Sequence, residues 1–236
     1  MRIEIWSDVV CPWCYIGKRH LESALESFPH ADDVEVVYRS FELDPTAPQV
    51  PVETTVESLA KKFGTDVAGA RELMKRADGA AAAAGLTFNH ADALHARTVD
   101  AHRLLHLALA DGGPARQREL KEALLAAYFT RAENVGDHAV LRSVAVDAGL
   151  DPSRVDAVLA SDEYADAVRA DIAQARAYGA NGVPFFVVDE KFGVSGAQPT
   201  EVFTQLLDRA WTESHPQVEL VGGPGADACG PDGCAI

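Results

Sequence analysis

Two cysteines near the start of the chain are separated by two residues and could perform chemistry. Cys11 and Cys14 form the motif C-P-W-C, which follows an alternating apolar stretch and precedes a helical pattern. The unpaired N–H groups and the dipole at a helix N-terminus favour negative charge, so Cys11 is expected to be a stabilised thiolate. A thiolate attacks a disulfide, and Cys14, one turn along, can resolve the resulting mixed disulfide. Pro12 suits a first helical turn because it has no N–H to leave unpaired.

Cysteine pairs of this spacing also occur in zinc sites and among buried residues. A second pair, Cys229 and Cys234, stands near the chain end in C-G-P-D-G-C, and four cysteines could form a tetrahedral zinc site. The first pair, however, opens a long amphipathic helix, and the second pair has four intervening residues. Simple burial is disfavoured because the first pair heads a helix. The spacing near a βαβ unit favours a redox pair, and no metal site is predicted.

The second pair lies in residues 216–236, which are rich in Gly and Pro and are predicted to form a flexible tail. Cys229 follows His215 by about 14 residues, and an extended chain of that length spans about 46 Å, enough to reach the C-P-W-C motif. We predict that Cys229 and Cys234 exchange disulfides with the first pair. The alternative is a pair whose cysteines oxidise only with each other.

Pro184 begins a predicted buried strand in N-G-V-P-F-F, an unusual place for a residue without a backbone N–H. A cis bond between Val183 and Pro184 would free the backbone edge of Val183 to pair with an extended peptide. Because only about 5–6% of X-Pro bonds in folded proteins are cis, the residues alone do not establish that geometry.

The elements around these residues follow the order of a thioredoxin-type fold. Arg2 to Trp6 alternates as a strand, a helix follows the motif, and residues 34–41 read as a second strand, which together make a βαβ unit. Residues 183–196 predict two further strands, and a last helix begins at Pro199. The predicted fold class is α/β, a thioredoxin fold (βαβ…ββα) interrupted by an all-helical insertion.

The domain organisation follows from a change in composition along the chain. Residues 53–178 are dominated by Ala, Leu, Glu and Arg with recurring Gly and Pro breaks, which predicts the helical insertion. The thioredoxin-like core then comprises residues 1–52 and 179–215. Residues 161–178 could belong to either part.

Charge and hydropathy exclude several classes of partner. Acidic residues outnumber basic ones 36 to 21, giving a formal charge of -15, which disfavours nucleic acid. No signal-peptide pattern and no apolar run of about 18 residues is present, so we predict a cytoplasmic protein that does not bind membranes. Cytosolic thiols are kept reduced, and a disulfide there is more often catalytic than structural.

Three segments, SDVVCPWCYIGK, FELDP and GANGVPFFVVDEKFGVSGAQPTEVF, resemble the DsbA-like thioredoxin-fold oxidoreductases of the FrnE type, a similarity that covers roughly residues 1–215. The resemblance implies a redox dithiol at Cys11 and Cys14 and a cis-proline loop at Val183–Pro184 facing it. The same superfamily includes 2-hydroxychromene-2-carboxylate isomerases and kappa-class glutathione transferases, which typically carry serine at the first cysteine's position. This chain keeps both cysteines, which favours dithiol chemistry.

These observations predict a thiol–disulfide oxidoreductase that acts on protein or small-molecule disulfides. Pro12, Trp13, Val183 and Pro184 are expected to contact the substrate, with no bound cofactor and with glutathione as a possible co-substrate. Two alternatives stay open. One is a glutathione-dependent isomerase or transferase, and the other is a non-enzymatic binding protein or chaperone.

Three histidines at 95, 102 and 106 are spaced i, i+7 and i+11, which predicts one shared helical face. Without a further ligand they predict packing or a solvated edge instead of a metal site. A weaker hypothesis, resting on the resemblance, has His102 lining a substrate groove. Arg97 occupies a position where relatives often carry Asn, a departure from the family pattern that affects any role carried over for the helical insertion.

Two acidic residues near the motif, Glu4 and Asp8, could accept a proton from Cys14. Short acidic residues at a strand end are more often loop caps. Neither is therefore predicted to be catalytic.

Overall fold

The computed structural model describes residues 1–216 and is built on a four-stranded sheet. The strands are β1 (Arg2–Ser7), β2 (Glu35–Ser40), β3 (Phe185–Val188) and β4 (Phe192–Ser195), in the order β2-β1-β3-β4. β1 pairs parallel with β2, with Ile3 opposite Val36, and antiparallel with β3. The sheet therefore has the βαβ and ββ parts that the sequence predicts.

Eight helices lie within residues 1–216. They are α1 (Pro12–Glu26), α2 (Thr55–Phe63), α3 (Val67–Ala83), α4 (Val99–Phe129), α5 (His138–Asp147), α6 (Pro152–Leu159), α7 (Ala165–Ala177) and α8 (Thr200–Ser214). Helices α2 to α7 separate the two halves of the sheet in the chain. The predicted fold class, a thioredoxin fold interrupted by helices, is confirmed.

Strand β1 is buried on both faces, which explains its central position. Ile3 and Ile5 pack with side chains of α1 and α8 on one face. Trp6 points to the other face, where its indole N–H donates to the carbonyl of Asp171 in α7 at 2.8 Å. A parallel pair covered by helices on both sides needs such apolar residues throughout.

Helix α4 covers the free edge of β2. The side chain of Gln117 accepts the N–H of Tyr38 at 2.8 Å and donates to the carbonyl of the same residue at 2.9 Å. A buried amide thus replaces the missing neighbouring strand, because unpaired backbone groups are costly to bury. Earlier in the chain, α4 is interrupted at Gly113, which has a non-helical φ of 69° and is followed by Pro114. Lys121, one turn after Gln117, is directed to the same side.

Helix α7 contacts both the sheet and α4. Asp171 accepts the backbone N–H of Ser40 at 2.8 Å and pairs with His106 at 3.0 Å.

The boundaries proposed at residues 52 and 179 stay a prediction. Within residues 1–216, no helix combines the length and apolar character that crossing a bilayer requires.

Candidate functional site

The C-P-W-C motif stands at the junction between β1 and α1. Cys11 is the N-cap of α1 with extended backbone angles (φ −92°, ψ 115°), and its carbonyl accepts the N–H of Cys14 at 3.0 Å. Pro12 occupies the first helical position, where no N–H is needed. The sequence placed the pair at a helix N-terminus, and the structure has it there.

Both thiols are free and buried, with residue exposures of 2% for Cys11 and 3% for Cys14. The Cys11 sulfur lies 3.5 Å from the carbonyl oxygen of Val183. The Val183–Pro184 bond is cis, and the loop that contains it faces Cys11. The geometry that the resemblance implied for this loop is therefore present.

The surroundings shift the pKa values of the two thiols in opposite directions. Burial opposes the ionisation of Cys14, but the neighbouring Cys11 side chain and the charge of Lys121 lower the pKa of Cys14. Burial raises the pKa of Cys11 well above the ordinary thiol value, and a Cys14 thiolate raises it further. The Cys14 N–H at the helix N-terminus lowers the pKa of Cys11, as the sequence suggests, but burial outweighs it.

Asp8 is a buried anion just upstream of the motif. It accepts the backbone N–H groups of Val9 at 2.7 Å and Leu43 at 2.8 Å and pairs with His102 at 3.2 Å. Burial alone would raise the pKa of Asp8, but the hydrogen bond and charge of His102 lower it. A carboxylate held in this way stays ionised and caps the loop.

Glu4, the other acidic residue near the motif, lies in β1. Its carboxylate pairs with Arg39 at 2.5 Å, and Arg39 also reaches Asp171 at 3.4 Å. These contacts tie β1 to β2 and α7, so the carboxylate of Glu4 is already held by a cation.

Lys121 of α4 is the functional-site residue that sequence reasoning missed. Its side chain is fully buried, its ammonium donates to the carbonyl of Ser7 at 3.3 Å, and it lies 5.5 Å from the ring centre of Tyr38. Burial lowers the pKa of Lys121 to about 8, although the charges of Cys14, Asp8 and Cys11 act in the opposite direction. A signal existed, because Lys121 lies on the same helical stripe as the buried Leu125.

The three histidines do not form one cluster. The prediction that His95 shares a helical face with the others is wrong, because α4 begins only at Val99. His95 pairs with Asp44 at 3.0 Å, while His102 and His106 pair with the aspartates described above. Among residues 1–216, no group of three His, Cys, Asp or Glu side chains is arranged to hold a metal ion. Arg97 forms an ion pair with Glu42 at 3.2 Å.

A cavity of about 470 Å³ opens beside the motif, between α1 and the first helices of the insertion. Its apolar wall includes Pro12, Trp13, Leu59, Phe63, Leu73 and Met74. Arg76 lies over the Trp13 ring at 5.6 Å. His90 also lines the cavity, and burial lowers the pKa of His90 to about 4, so it is neutral at pH 7.

The four residues predicted to contact substrate fall into two groups around Cys11. Pro12 and Trp13 line the cavity, whereas Val183 and Pro184 form the loop that faces the sulfur. The structure thus offers two surfaces beside one thiol. Cys229 and Cys234 lie outside the described residues.

The chain is similar to several known proteins. Residues 2–208 match the DSBA-like thioredoxin domain family. A probable DsbA oxidoreductase from Streptomyces coelicolor is 48% identical, and its crystal structure matches with a TM-score of 0.85 over 100% of this chain and 99% of that chain. YwbO of Bacillus subtilis (strain 168) is 26% identical over 223 residues, 88% of this chain and 96% of that protein.

A more distant structure shows the fold alone. The cytosolic disulfide reductase DsbM from Pseudomonas aeruginosa, solved with GSH, is 13% identical with a TM-score of 0.63 over 89% of this chain and 99% of that chain. The family match, by contrast, spans nearly the whole described chain, including the cysteine motif and the cis-proline loop. The chain therefore belongs to the DSBA-like thioredoxin domain family.

Proposed function

We propose that this chain is a thiol–disulfide oxidoreductase whose reacting groups are Cys11 and Cys14. The observation that supports this most directly is the free thiol pair at the head of α1, with the Cys11 sulfur 3.5 Å from the carbonyl of Val183. Membership of a family of DsbA-like oxidoreductases agrees with it.

The proposed reaction proceeds in two exchanges. The Cys11 thiolate attacks one sulfur of a substrate disulfide, the substrate S–S bond breaks, and the departing thiolate takes a proton. The Cys14 thiolate then attacks the Cys11 sulfur of the mixed disulfide and releases the second substrate thiol. Two electrons pass from the protein to the substrate, and Cys11 and Cys14 end as a disulfide. The reverse sequence oxidises a substrate dithiol.

Cys11 is proposed as the attacking residue because of its position. It stands at the loop–helix junction against Val183, while Cys14 lies one turn inside α1, near Ser7 and Lys121. In the unbound dithiol the pKa of Cys11 is raised and that of Cys14 is lowered. Attack by Cys11 therefore requires Cys11 to lose its proton when substrate approaches.

Two kinds of substrate fit the surroundings of Cys11. The backbone of Val183 suits an extended polypeptide, and the cavity beside Trp13 suits a small disulfide. Glutathione is the small co-substrate we propose, and the DsbM structure with GSH supports it by analogy of fold. A cytoplasmic setting, where glutathione is abundant, is part of the same proposal.

The test is turnover and trapping with a disulfide-containing peptide and with glutathione disulfide. Cys11→Ser is expected to abolish turnover, and Cys14→Ser is expected to accumulate a mixed disulfide at Cys11. Trapping at Cys14 in Cys11→Ser would instead make Cys14 the attacking residue. Glutathione-dependent isomerisation that survives loss of Cys14, or full function in Cys11→Ser, would replace the proposal with the isomerase or the binding protein.

A relay through the second cysteine pair is an extension of this proposal. Cys229 and Cys234 would take up the disulfide from Cys11 and Cys14 by the same exchange chemistry. In Cys14→Ser protein oxidised without substrate, mass mapping should find a Cys11 link to one of the tail cysteines. Absence of any such link, with Cys229 bonded to Cys234, would leave the tail pair outside the reaction.

A further inference from the structure

Within residues 1–216, Lys121 is a buried cation without an anionic side chain bonded to it. It comes from α4, within the helical part of the chain, and its ammonium donates to the backbone carbonyl of Ser7. In the part of the chain that the structure describes, it forms no ion pair with a carboxylate, although burying an isolated ammonium costs several kcal/mol. A nearby negative charge would offset the cost of burying this ammonium.

A second buried lysine shows what ordinary compensation looks like in this protein. Lys18 of α1 has a side-chain exposure of 5%, and it lies 2.5 Å from carboxylate oxygens of both Glu22 and Glu122. Its charge is balanced within the ion-pair cluster. Among the described residues, Lys121 has no such carboxylate partners. The negative charge that balances its ammonium therefore has to come from the thiol site.

The groups that face Lys121 can be named element by element. The charges that shift the pKa of Lys121 belong to Asp8, just after β1, and to Cys11, Cys14 and Lys18 at or in α1. Its ammonium also lies near the Tyr38 ring of β2. Lys18 is a like charge, and burial keeps the Tyr38 phenol protonated by raising its pKa.

Asp8 is already held by other donors. Two backbone N–H groups and His102 bind its carboxylate. The anion left to balance Lys121 is the Cys14 thiolate, and Lys121 is one of the groups that stabilises that thiolate.

We propose that Lys121 is the counter-ion of the Cys14 thiolate and that it releases its proton when Cys11 and Cys14 form a disulfide. The proposal rests on the oxidoreductase function above. It makes the helical insertion part of the redox centre, since the insertion supplies the positive charge. Lys121 is a positioning residue that acts through Cys14.

The proton balance of the proposed step closes. In the reduced centre as proposed, Cys14 is a thiolate, Cys11 is a thiol and Lys121 is an ammonium. A substrate disulfide accepts two electrons as the Cys11–Cys14 bond forms and the substrate S–S bond breaks. The thiol proton and the Lys121 proton neutralise the two substrate thiolates. The products are a protein disulfide beside a neutral amine and two substrate thiols.

The direction of the lysine titration follows from the same contacts. In the dithiol protein the pKa of Lys121 is about 8, and the thiols are among the groups that raise it against the effect of burial. Disulfide formation removes both thiols, so the pKa of Lys121 falls below that value in the oxidised protein. Near neutral pH the ammonium therefore loses its proton on oxidation.

The first experiment follows the thiolate absorbance at 240 nm against pH in reduced protein. Lys121→Met keeps the length of the side chain and removes the charge, so the thiolate fraction at pH 7 should fall about tenfold. Lys18→Met is the matched control, because that lysine is equally buried but has its own carboxylates, and its thiolate titration should stay close to that of the parent. Equal titrations in Lys121→Met and the parent would overturn the proposal.

The second experiment needs no substituted protein. The Lys121 side-chain resonance is followed by NMR against pH in reduced and in oxidised wild-type protein. We expect a midpoint near pH 8 in the reduced protein and at least threefold weaker proton binding in the oxidised protein. The same midpoint in both states would overturn the counter-ion proposal even where Lys121→Met fails to fold. Failure of the wild-type dithiol to exchange with any disulfide would instead remove the proposed function.

Discussion

Two neighbouring residues of α4 belong to charge clusters of opposite character. Glu122 lies in a closed cluster, where it binds Lys18 and Arg19 at 2.5 Å each and accepts the Tyr15 hydroxyl at 2.6 Å. Lys121 lies in an open cluster, where its ammonium donates to a backbone carbonyl and its pKa is raised by the charges of Cys14, Asp8 and Cys11. Both clusters join α4 to the region around α1.

The difference shows how burial can serve stability or reactivity. In the closed cluster, burial would raise the pKa of Glu122, but the hydrogen bond from Arg19 and the charge of Lys18 lower it to about 2. In the open cluster, burial is only partly offset, and the pKa of Lys121 stays near 8. A charged group that is fully compensated keeps its protonation state near neutral pH. A group that is only partly compensated can gain or lose a proton when the redox state of its neighbours changes.

The largest effect is expected from removing the anion of the open cluster. Cys14→Ser should lower disulfide turnover by more than about a hundredfold, because the mixed disulfide loses its internal resolving thiol. Lys18→Met, in the closed cluster, should retain turnover within about twofold. Steady-state rates with glutathione disulfide measure both variants. Similar losses of turnover in the two variants would contradict the claim that the open cluster supports the reaction while the closed cluster serves stability.

Lys121→Met should make the reduced protein more stable at pH 7, contrary to the usual result of replacing a buried polar residue. The folded-state pKa of Lys121 is lowered from 10.5 to about 8, so the destabilisation is fully present below pH 8 and is relieved as pH rises towards 10.5. The stability advantage of the variant should therefore shrink by about 3 kcal/mol between pH 7 and pH 10.5. Denaturant unfolding across that range is the measurement, and a variant less stable at pH 7 would count against a strained cation.

Glu122→Gln should have the opposite sign. Breaking this partly exposed cluster leaves Lys18 and Arg19 with Glu22 alone, and the free energy of unfolding at pH 7 should fall by about 2 kcal/mol. The pKa of Glu122 is lowered to about 2 in the folded protein. Its contribution to stability is therefore fully present above the pKa of the unfolded chain and is lost as pH falls from about 4 to 2. The difference between parent and variant should therefore close in acid.

Glu119→Gln is the control for that change. Glu119 lies on the same helix in a surface pair with Arg116 and has a side-chain exposure of 60%. Its loss should change the free energy of unfolding by less than about 0.5 kcal/mol. Equal effects of Glu119→Gln and Glu122→Gln would mean that the closed cluster contributes no more than an ordinary surface pair.

A small effect on activity is also expected from His102→Ala. Asp8 keeps its two backbone donors from Val9 and Leu43, so the buried carboxylate stays largely satisfied. Turnover should fall less than about threefold, and its pH profile should keep its shape. A loss comparable to that of Cys14→Ser would place His102 in the chemistry.

The sequence was sufficient for features that depend on local pattern. Alternation in β1, the helix that follows C-P-W-C and the Pro184 strand start gave the element order and put Cys11 at a helix N-terminus. The placement of the cysteines relative to the cis-proline loop came from the resemblance, because strand pairing between β1 and β3 joins residues far apart in the chain.

Features that depend on distant contacts were not available from the sequence. Lys121 shares a helical stripe with Leu125, which indicates burial, but its position beside the end of β1 depends on the contact of Gln117 with the edge of β2. His95 was assigned to a helix because its spacing fits, although the helix starts four residues later. The direction in which the thiol charge moves also depends on burial, which local pattern does not report.

The most direct test of the dithiol is equilibration of Cys229→Ser/Cys234→Ser protein with glutathione buffers of increasing oxidation, in which Cys11 and Cys14 are the remaining cysteines. We expect free thiols to fall from two to none in one transition as the mass decreases by two hydrogens. Thiols that persist in oxidising buffer, or a stable glutathione adduct without loss of the second thiol, would contradict a redox function of the C-P-W-C pair.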